Sequence, residues 1–166
     1  MPIATGQQIL AADVNVEFAK IKRIRKTADE VVNNSSVLQN DDELLLAMGA
    51  NEVWEFSALI YCDIRANSDF KHTFTVPTGA TGKWFNYKIV VDTAGTTNNP
   101  ITATAFGTAV SIITGSDKLG SFHQIWGLVI NGVNAGNLQY QWAQNTAYAE
   151  NTKVLTNACL IAHQLA

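Results

Sequence analysis

Over most of its length the chain alternates apolar and polar residues with period two. In Val53–Ile64, Trp54, Phe56, Ala58, Ile60, Cys62 and Ile64 make one face, and Val53, Glu55, Ser57, Leu59, Tyr61 and Asp63 make the other. Successive side chains of a strand point to opposite faces, so this spacing predicts one long β-strand. Residues 70–76 repeat the pattern, with Phe70, His72, Phe74 and Val76 against Lys71, Thr73 and Thr75. So do 84–91 (Phe85, Tyr87, Ile89, Val91), 122–130 (Phe122, Gln124, Trp126, Leu128, Ile130), 138–142 (Leu138, Tyr140, Trp142) and 153–165. Residues 30–38 and 43–48 predict shorter strands, and 101–113 predicts one strand, or two with a break at Gly107. Turn signals separate them: 77–82 with Pro77, Gly79 and Gly82, the Thr- and Asn-rich run 94–100, and Asn131-Gly132. No long helix intervenes, which argues against parallel βαβ folds. Roughly eight to ten strands predict an all-β fold, an antiparallel jelly-roll-like β-sandwich. An immunoglobulin-like sandwich is the runner-up. It would need fewer residues, and Cys62 and Cys159 do not bracket a tryptophan at its spacing.

One stretch has a helical period. Val14, Phe18 and Ile21 follow i, i+4, i+7, with Ala28 on the same seam and Ile24 beside it. Asp13 can accept the free N–H groups of a first turn, so the spacing predicts a short N-terminal α-helix over 13–26. A helix of that length is not stable alone in water and has to pack on its own body or on copies of itself. The chain therefore divides into an anchoring and oligomerising segment, 1–28, and a β-sandwich domain, 29–166. Candidate oligomerisation and anchoring residues are Val14, Phe18 and Ile21 on the seam, with Lys22, Arg23 and Arg25 as the charged part.

Charge sharpens this division. Residues 1–26 hold Lys20, Lys22, Arg23, Arg25 and Lys26 against Asp13 and Glu17, while the rest of the chain is acidic. The basic head suits either an acidic partner surface or the C-terminal end of a helix dipole. An acidic body lacks the basic face that phosphate neutralisation needs, so no nucleic acid is expected as a partner. Hydrophobic residues make up 47% of the 166, which excludes general disorder, and charged residues only 15%, with polarity carried by 15 Asn and 16 Thr. Such a surface suits β-structure and broad contacts. No apolar run reaches ~18 residues and no h-region opens the chain, so neither a membrane span nor a signal peptide is expected. Cys62 and Cys159 have no metal or disulfide-framework spacing and read as small apolar residues, though a single bridge stays open.

Catalytic chemistry finds little purchase. His72, His123 and His163 fall in no metal-ligand spacing, and His72, flanked by phenylalanines two residues away, reads as a hydrogen-bonded core or interface residue. There is no G-x-S-x-G elbow and no phosphate loop, since Gly79, Gly82 and Lys83 follow a proline turn and lead into a strand. Asp41, Asp42 and Glu43 lack EF-hand spacing and read as a solvated turn in preference to a calcium site. Trp84, Trp126 and Trp142 could stack on sugars, but each lies on an apolar strand face and reads as core. No catalytic residue, metal or cofactor is assigned, and the expectation is a protein that is not an enzyme.

Four segments resemble a known family. Thr5-Gly6-Gln7-Gln8-Ile9-Leu10-Ala11-Ala12-Asp13-Val14-Asn15 is similar to the lead-in that precedes an oligomerising helix in small trimeric structural proteins of tailed bacteriophages. Asp41-Asp42-Glu43-Leu44 with Ala50-Asn51-Glu52-Val53-Trp54-Glu55-Phe56 resembles the first strands of their β-sandwich. The stretches from Phe74 to Trp84 and from Leu138 to Asn145 resemble later landmarks in the same order. The resemblance implies a virion location after assembly in the host cytoplasm, and a homotrimer held to the major capsid protein or another virion protein. It implies a capsid decoration or head-fibre protein attached through its N-terminal segment. The alternative is a tail-fibre or tail-tip protein that binds a receptor, such as a host-surface glycan.

Overall fold

The alternating runs fold as strands because each can bury one face. The computed structural model describes residues 20–87, 90–91, 97–98 and 103–166. Its strands are β1 (Ile21–Arg25), β2 (Glu30–Val32), β3 (Gln39–Met48), β4 (Val53–Ile64), β5 (Phe70–Thr75), β6 (Thr81–Tyr87), β7 (Val90–Val91), β8 (Thr97–Asn98), β9 (Val110–Ile112), β10 (Lys118–Ile130), β11 (Gly136–Ala143), β12 (Thr152–Val154) and β13 (Cys159–Gln164). Among the described residues there is no helix.

Two antiparallel sheets face each other. The seven-stranded sheet runs β1-β13-β4-β10-β6, with β12 pairing β4 and β2 pairing β12; the four-stranded sheet runs β3-β11-β5-β9. Their inner faces make the core. Trp54, Phe56, Ala58, Ile60, Cys62 and Ile64 of β4 are at most 3% exposed, the face that the alternation selects. Against them pack Leu44, Leu46 and Met48 of β3, Phe70 and Phe74 of β5, and Leu138, Tyr140 and Trp142 of β11. Aromatic rings fill the middle: Phe70–Trp142, Phe74–Tyr140 and Phe74–Trp84 centroids lie 5.8, 5.1 and 5.6 Å apart. Each fully buried side chain of this size contributes about 1.5–3 kcal/mol, enough to define which face of each strand turns inward.

Gly127 sits at a tight point of this core. It lies on β10 opposite Phe56 of β4 and Trp84 of β6, and an added Cβ would stand 2.3 Å from Phe56 Cε1. The missing side chain is what leaves room for Phe56 Cε1 and Cζ beneath β10.

Three expectations change. The helix predicted over 13–26 does not extend through its second half: Ile21–Arg25 is an edge strand, paired in register with Leu160 opposite Ile24 and His163 opposite Ile21. A partner strand with open hydrogen-bonding groups overrides a weak local period. The β body thus begins by residue 21 and not at 29, while Val14 and Phe18 lie outside the described residues. Asp41, Asp42 and Glu43 are not a solvated turn but an irregularity inside β3, where register slips between Leu45↔Gln139 and Asn40↔Gln141. Asn131-Gly132 is not the turn of a hairpin: it opens the connection that carries the chain from β10 in one sheet to β11 in the other.

Candidate functional site

The outer face of the seven-stranded sheet is the most unusual surface among the described residues. Cross-strand register places its side chains in rows. One row reads Arg23, Ile161, Ser57, Trp126, Phe85; the next reads Ile21, His163, Glu55, Leu128, Lys83; a third reads Arg25, Cys159, Leu59, Gln124, Tyr87. Tyr61 and Phe122 stand opposite each other beyond the third row. Several large apolar side chains lie open here: Phe122 at 57% exposure, Ile130 at 45%, Tyr61 at 41%, and Leu128 and Ile161 at 38%. Scattered exposed apolar residues are ordinary, but here several share one sheet face, interleaved with Glu55, His163, Lys83 and Arg23, a mixture that suits an interaction surface.

A groove of about 630 Å³ runs across this face. Ser57 is small and lies between Ile161 and Trp126 in its row, so the centre of the row is low. Trp126, Phe85 and Leu128 form one wall, and Ile161 and His163 the other. Trp126 stacks on Phe85 with centroids 5.5 Å apart and meets Tyr87 edge-on at 6.2 Å. Glu55 Oε1 lies 3.3 Å from His163 Nδ1, a solvent-exposed pair at the groove rim. Trp126 was expected in the core and is instead half-buried on this outer wall, whereas Trp84 and Trp142 are fully buried as expected. The sequence signal for the site was present but read as core. β10 is apolar on both faces, with Ile125 and Val129 inward and Phe122, Trp126, Leu128 and Ile130 outward.

The expected anchoring residues do not share one face. Ile21, Arg23 and Arg25 lie on the outer face at the sheet edge, and Arg25 Nη1 donates to Asn157 Oδ1 at 2.5 Å. Lys22 turns the other way, its Nζ 4.5 Å above the Trp54 ring and donating to the Ala47 carbonyl.

A second polar arrangement lies inside, where β1 ends. Lys26 is 1% exposed, and its Nζ donates to Asp41 Oδ1 and Oδ2 at 2.8 and 2.9 Å and to Glu30 Oε2 at 2.9 Å. The irregularity in β3 aims Asp41 inward: its Oδ1 accepts the backbone N–H groups of Glu43 and Leu44 at 3.0 and 2.8 Å. Glu30 is fixed from both sides, by Gln39 Nε2 at 3.0 Å and the Asp42 N–H at 3.1 Å. Burial raises the Glu30 carboxyl above its ordinary range, against the hydrogen bonds from Lys26 and the Asp42 N–H, which lower it. Burial pulls the Lys26 ammonium down, but hydrogen bonds to Asp41 and Glu30 outweigh it and leave the group raised. The neighbouring Glu43 carboxylate goes elsewhere, accepting the N–H groups of Thr27 and Ala28, so the three acids diverge.

His72 is a core residue, hydrogen-bonded as its setting predicts. Its Nδ1 and the Tyr140 hydroxyl are 3.0 Å apart, and Asn86 Nδ2 lies 3.3 Å from its Nε2. Burial, with His123 nearby, pushes it down to about 3, so it stays neutral. Cys62 is buried and Cys159 half-buried, and both are free thiols.

Among the described residues no group of three His, Cys, Asp or Glu side chains is placed to hold a metal ion, and no helix is long and apolar enough to cross a membrane. No family model and no curated protein matches the chain. Solved structures give weak neighbours, among them structures of infectious bursal disease virus. The structure of infectious bursal disease virus Gt strain is 12% identical at a TM-score of 0.20, over 87% of this chain and 35% of that one. The infectious bursal disease virus VP2 subviral particle is 11% identical at a TM-score of 0.20, over 87% of this chain and 39% of that one. The chain thus spans well under half the length of these neighbours.

Proposed function

We propose that the chain is a jelly-roll structural subunit of a virion, without an enzymatic role toward other molecules. It assembles as a homotrimer and is attached through its N-terminal segment to the major capsid protein or another virion protein, as a decoration or head-fibre protein. The observation that carries this reading is the open apolar face of Tyr61, Phe122, Leu128, Ile130 and Ile161, which has no cover among the described residues. A second copy of the chain supplies a face of the same character, and oligomers close such faces against one another.

Strand order supports the jelly roll. Taken in chain order, β1, β3, β4, β5, β9, β10, β11 and β13 lie 1-8-3-6 in one sheet and 2-7-4-5 in the other. That is the order produced by two interlocked Greek keys, with β6 added at the edge beside β10. The trimer and the phage setting rest on the resemblance of the sequence.

Attachment is tested with particles that lack the chain. Full-length protein should co-sediment with them, and a chain reduced to 20–166 should remain folded and fail to do so. Equal binding of both forms would remove the anchoring role from the N-terminal segment.

The groove favours one second reading, a tail-tip protein binding a glycan. Stacked Trp126 and Phe85 offer ring faces to a sugar, and Glu55, His163 and Lys83 offer polar contacts. Saturable glycan binding that disappears in Trp126→Ala, with the oligomer intact, would favour this reading over the first.

A further inference from the structure

We propose that Lys26 and Asp41 react with each other to form an intramolecular amide that staples the first strand of one sheet to the first strand of the other. Two features separate this site from an ordinary surface ion pair. The amine and the carboxyl are 1% and 0% exposed, so neither is solvated by bulk water. Nζ also stands nearly equidistant from the two carboxylate oxygens, at 2.8 and 2.9 Å, so both ends of the carboxylate are held against the amine. The two hydrogen bonds keep amine and carboxyl in contact, and rotation about the Cβ–Cγ bond of Asp41 turns the carboxyl face to the Nζ lone pair, so a slow bimolecular condensation becomes an intramolecular one.

The groups needed for the reaction surround the pair. The reactive form is the neutral tautomer, reached when one Nζ proton moves to Asp41 across the existing hydrogen bond. A dry site narrows the gap between this form and the ion pair, because it penalises both charges. The Nζ lone pair then attacks Cγ, and negative charge gathers on Oδ1. The Glu43 and Leu44 N–H groups already point at Oδ1 and stabilise that charge. Glu30 is the catalytic residue: its carboxyl touches Nζ at 2.9 Å, takes a proton from the attacking nitrogen and returns one to the departing Oδ2 hydroxyl. One N–C bond forms, one C–O bond breaks and one water leaves. Glu30 ends in the protonation state in which it began, and no oxidant or further reactant is required. At 13% exposure, Glu30 is also the member of the cluster nearest to solvent, which gives the water a way out.

The cross-link would close the chain between residues 26 and 41, so a pull on the N-terminal side would pass from Lys26 directly to β3 and leave residues 27–40, with β2, unloaded. This benefit does not depend on what the N-terminal segment binds.

The test is the intact mass of purified full-length protein, followed by peptide mapping. The folded protein is expected to be lighter than its Lys26→Arg variant, after correction for the substitution, by one water. Trypsin should fail to cut after Lys26, and the mapped loss should fall on a branched peptide joining Lys26 to Asp41. Glu30→Gln keeps the shape of the shuttle but cannot relay the proton, so it should fold and retain full mass for far longer. Asp41→Asn should reach the same cross-linked mass by losing ammonia. Full mass in the wild-type protein, with Lys26 open to amine labelling after unfolding, would overturn the proposal and leave a buried ion pair. A water loss that maps to any other residue would overturn it equally.

Discussion

Gly127→Ala is the sharpest single test of how the sheets meet. Alanine in place of glycine normally stabilises a strand by about 0.4–1 kcal/mol, because the unfolded chain loses freedom. Here the new Cβ would stand 2.3 and 2.4 Å from Phe56 Cε1 and Cζ and 3.0 Å from Trp84 Cβ. The Phe56 ring has little room to retreat: it is 3% exposed, with the Phe74 ring 5.0 Å away and the Phe106 ring 6.3 Å away. Overpacking of this kind destabilises by about 1–3 kcal/mol, which exceeds the entropic gain. With a urea slope of about 2 kcal/mol per molar, the midpoint should fall by roughly 0.5–1 M, followed by tryptophan fluorescence at one fixed protein concentration. Phe56→Leu removes the ring atoms in the way. The double variant should therefore be more stable than the sum of the two single changes by at least about 0.5 kcal/mol. A Gly127→Ala midpoint equal to or above wild type would refute the placement of Phe56 beneath β10.

Two further predictions concern buried titratable groups. His72 is pushed down to about 3, well below its ordinary 6.5, so between those values the unfolded chain binds more protons than the folded one. Its contribution is whole above pH 6.5 and drains as pH falls toward 3, by up to about 1.4 kcal/mol per unit, so urea midpoints should drop on acidification. His72→Gln should flatten that slope, and an unchanged slope would remove His72 as its source. Burial raises the Cys62 thiol far above its ordinary range, so in the folded protein a thiol reagent should modify Cys159 and spare Cys62 until urea is added. Rapid double labelling under native conditions would contradict the packing of β4.

Much of the fold was legible because strands that bury one face must alternate. β4 carries its inner face on the residues that the pattern names, and so do β5 and β11. What the pattern could not say was which face of a two-sided strand turns inward. β10 is apolar on both sides, so Trp126 looked like core and is instead part of the wall of an outer groove. The segment Ile21–Arg25 failed for a different reason. Five residues are too few to separate a helical seam from an alternation, and the decision lies with β13, more than a hundred residues away. Asp41 was hidden likewise: nothing local distinguishes an acid on a solvated turn from one drawn inward by a lysine just beyond the end of β1.

The central claim is that the outer face of the seven-stranded sheet is closed by further copies of the chain. Sedimentation equilibrium of the full-length protein at micromolar concentration tests it most directly. The account predicts three chain masses for wild type, and one chain mass with an undisturbed urea midpoint when Leu128 and Ile161 are both changed to Lys. A wild-type protein that sediments as one chain mass across that range would contradict it.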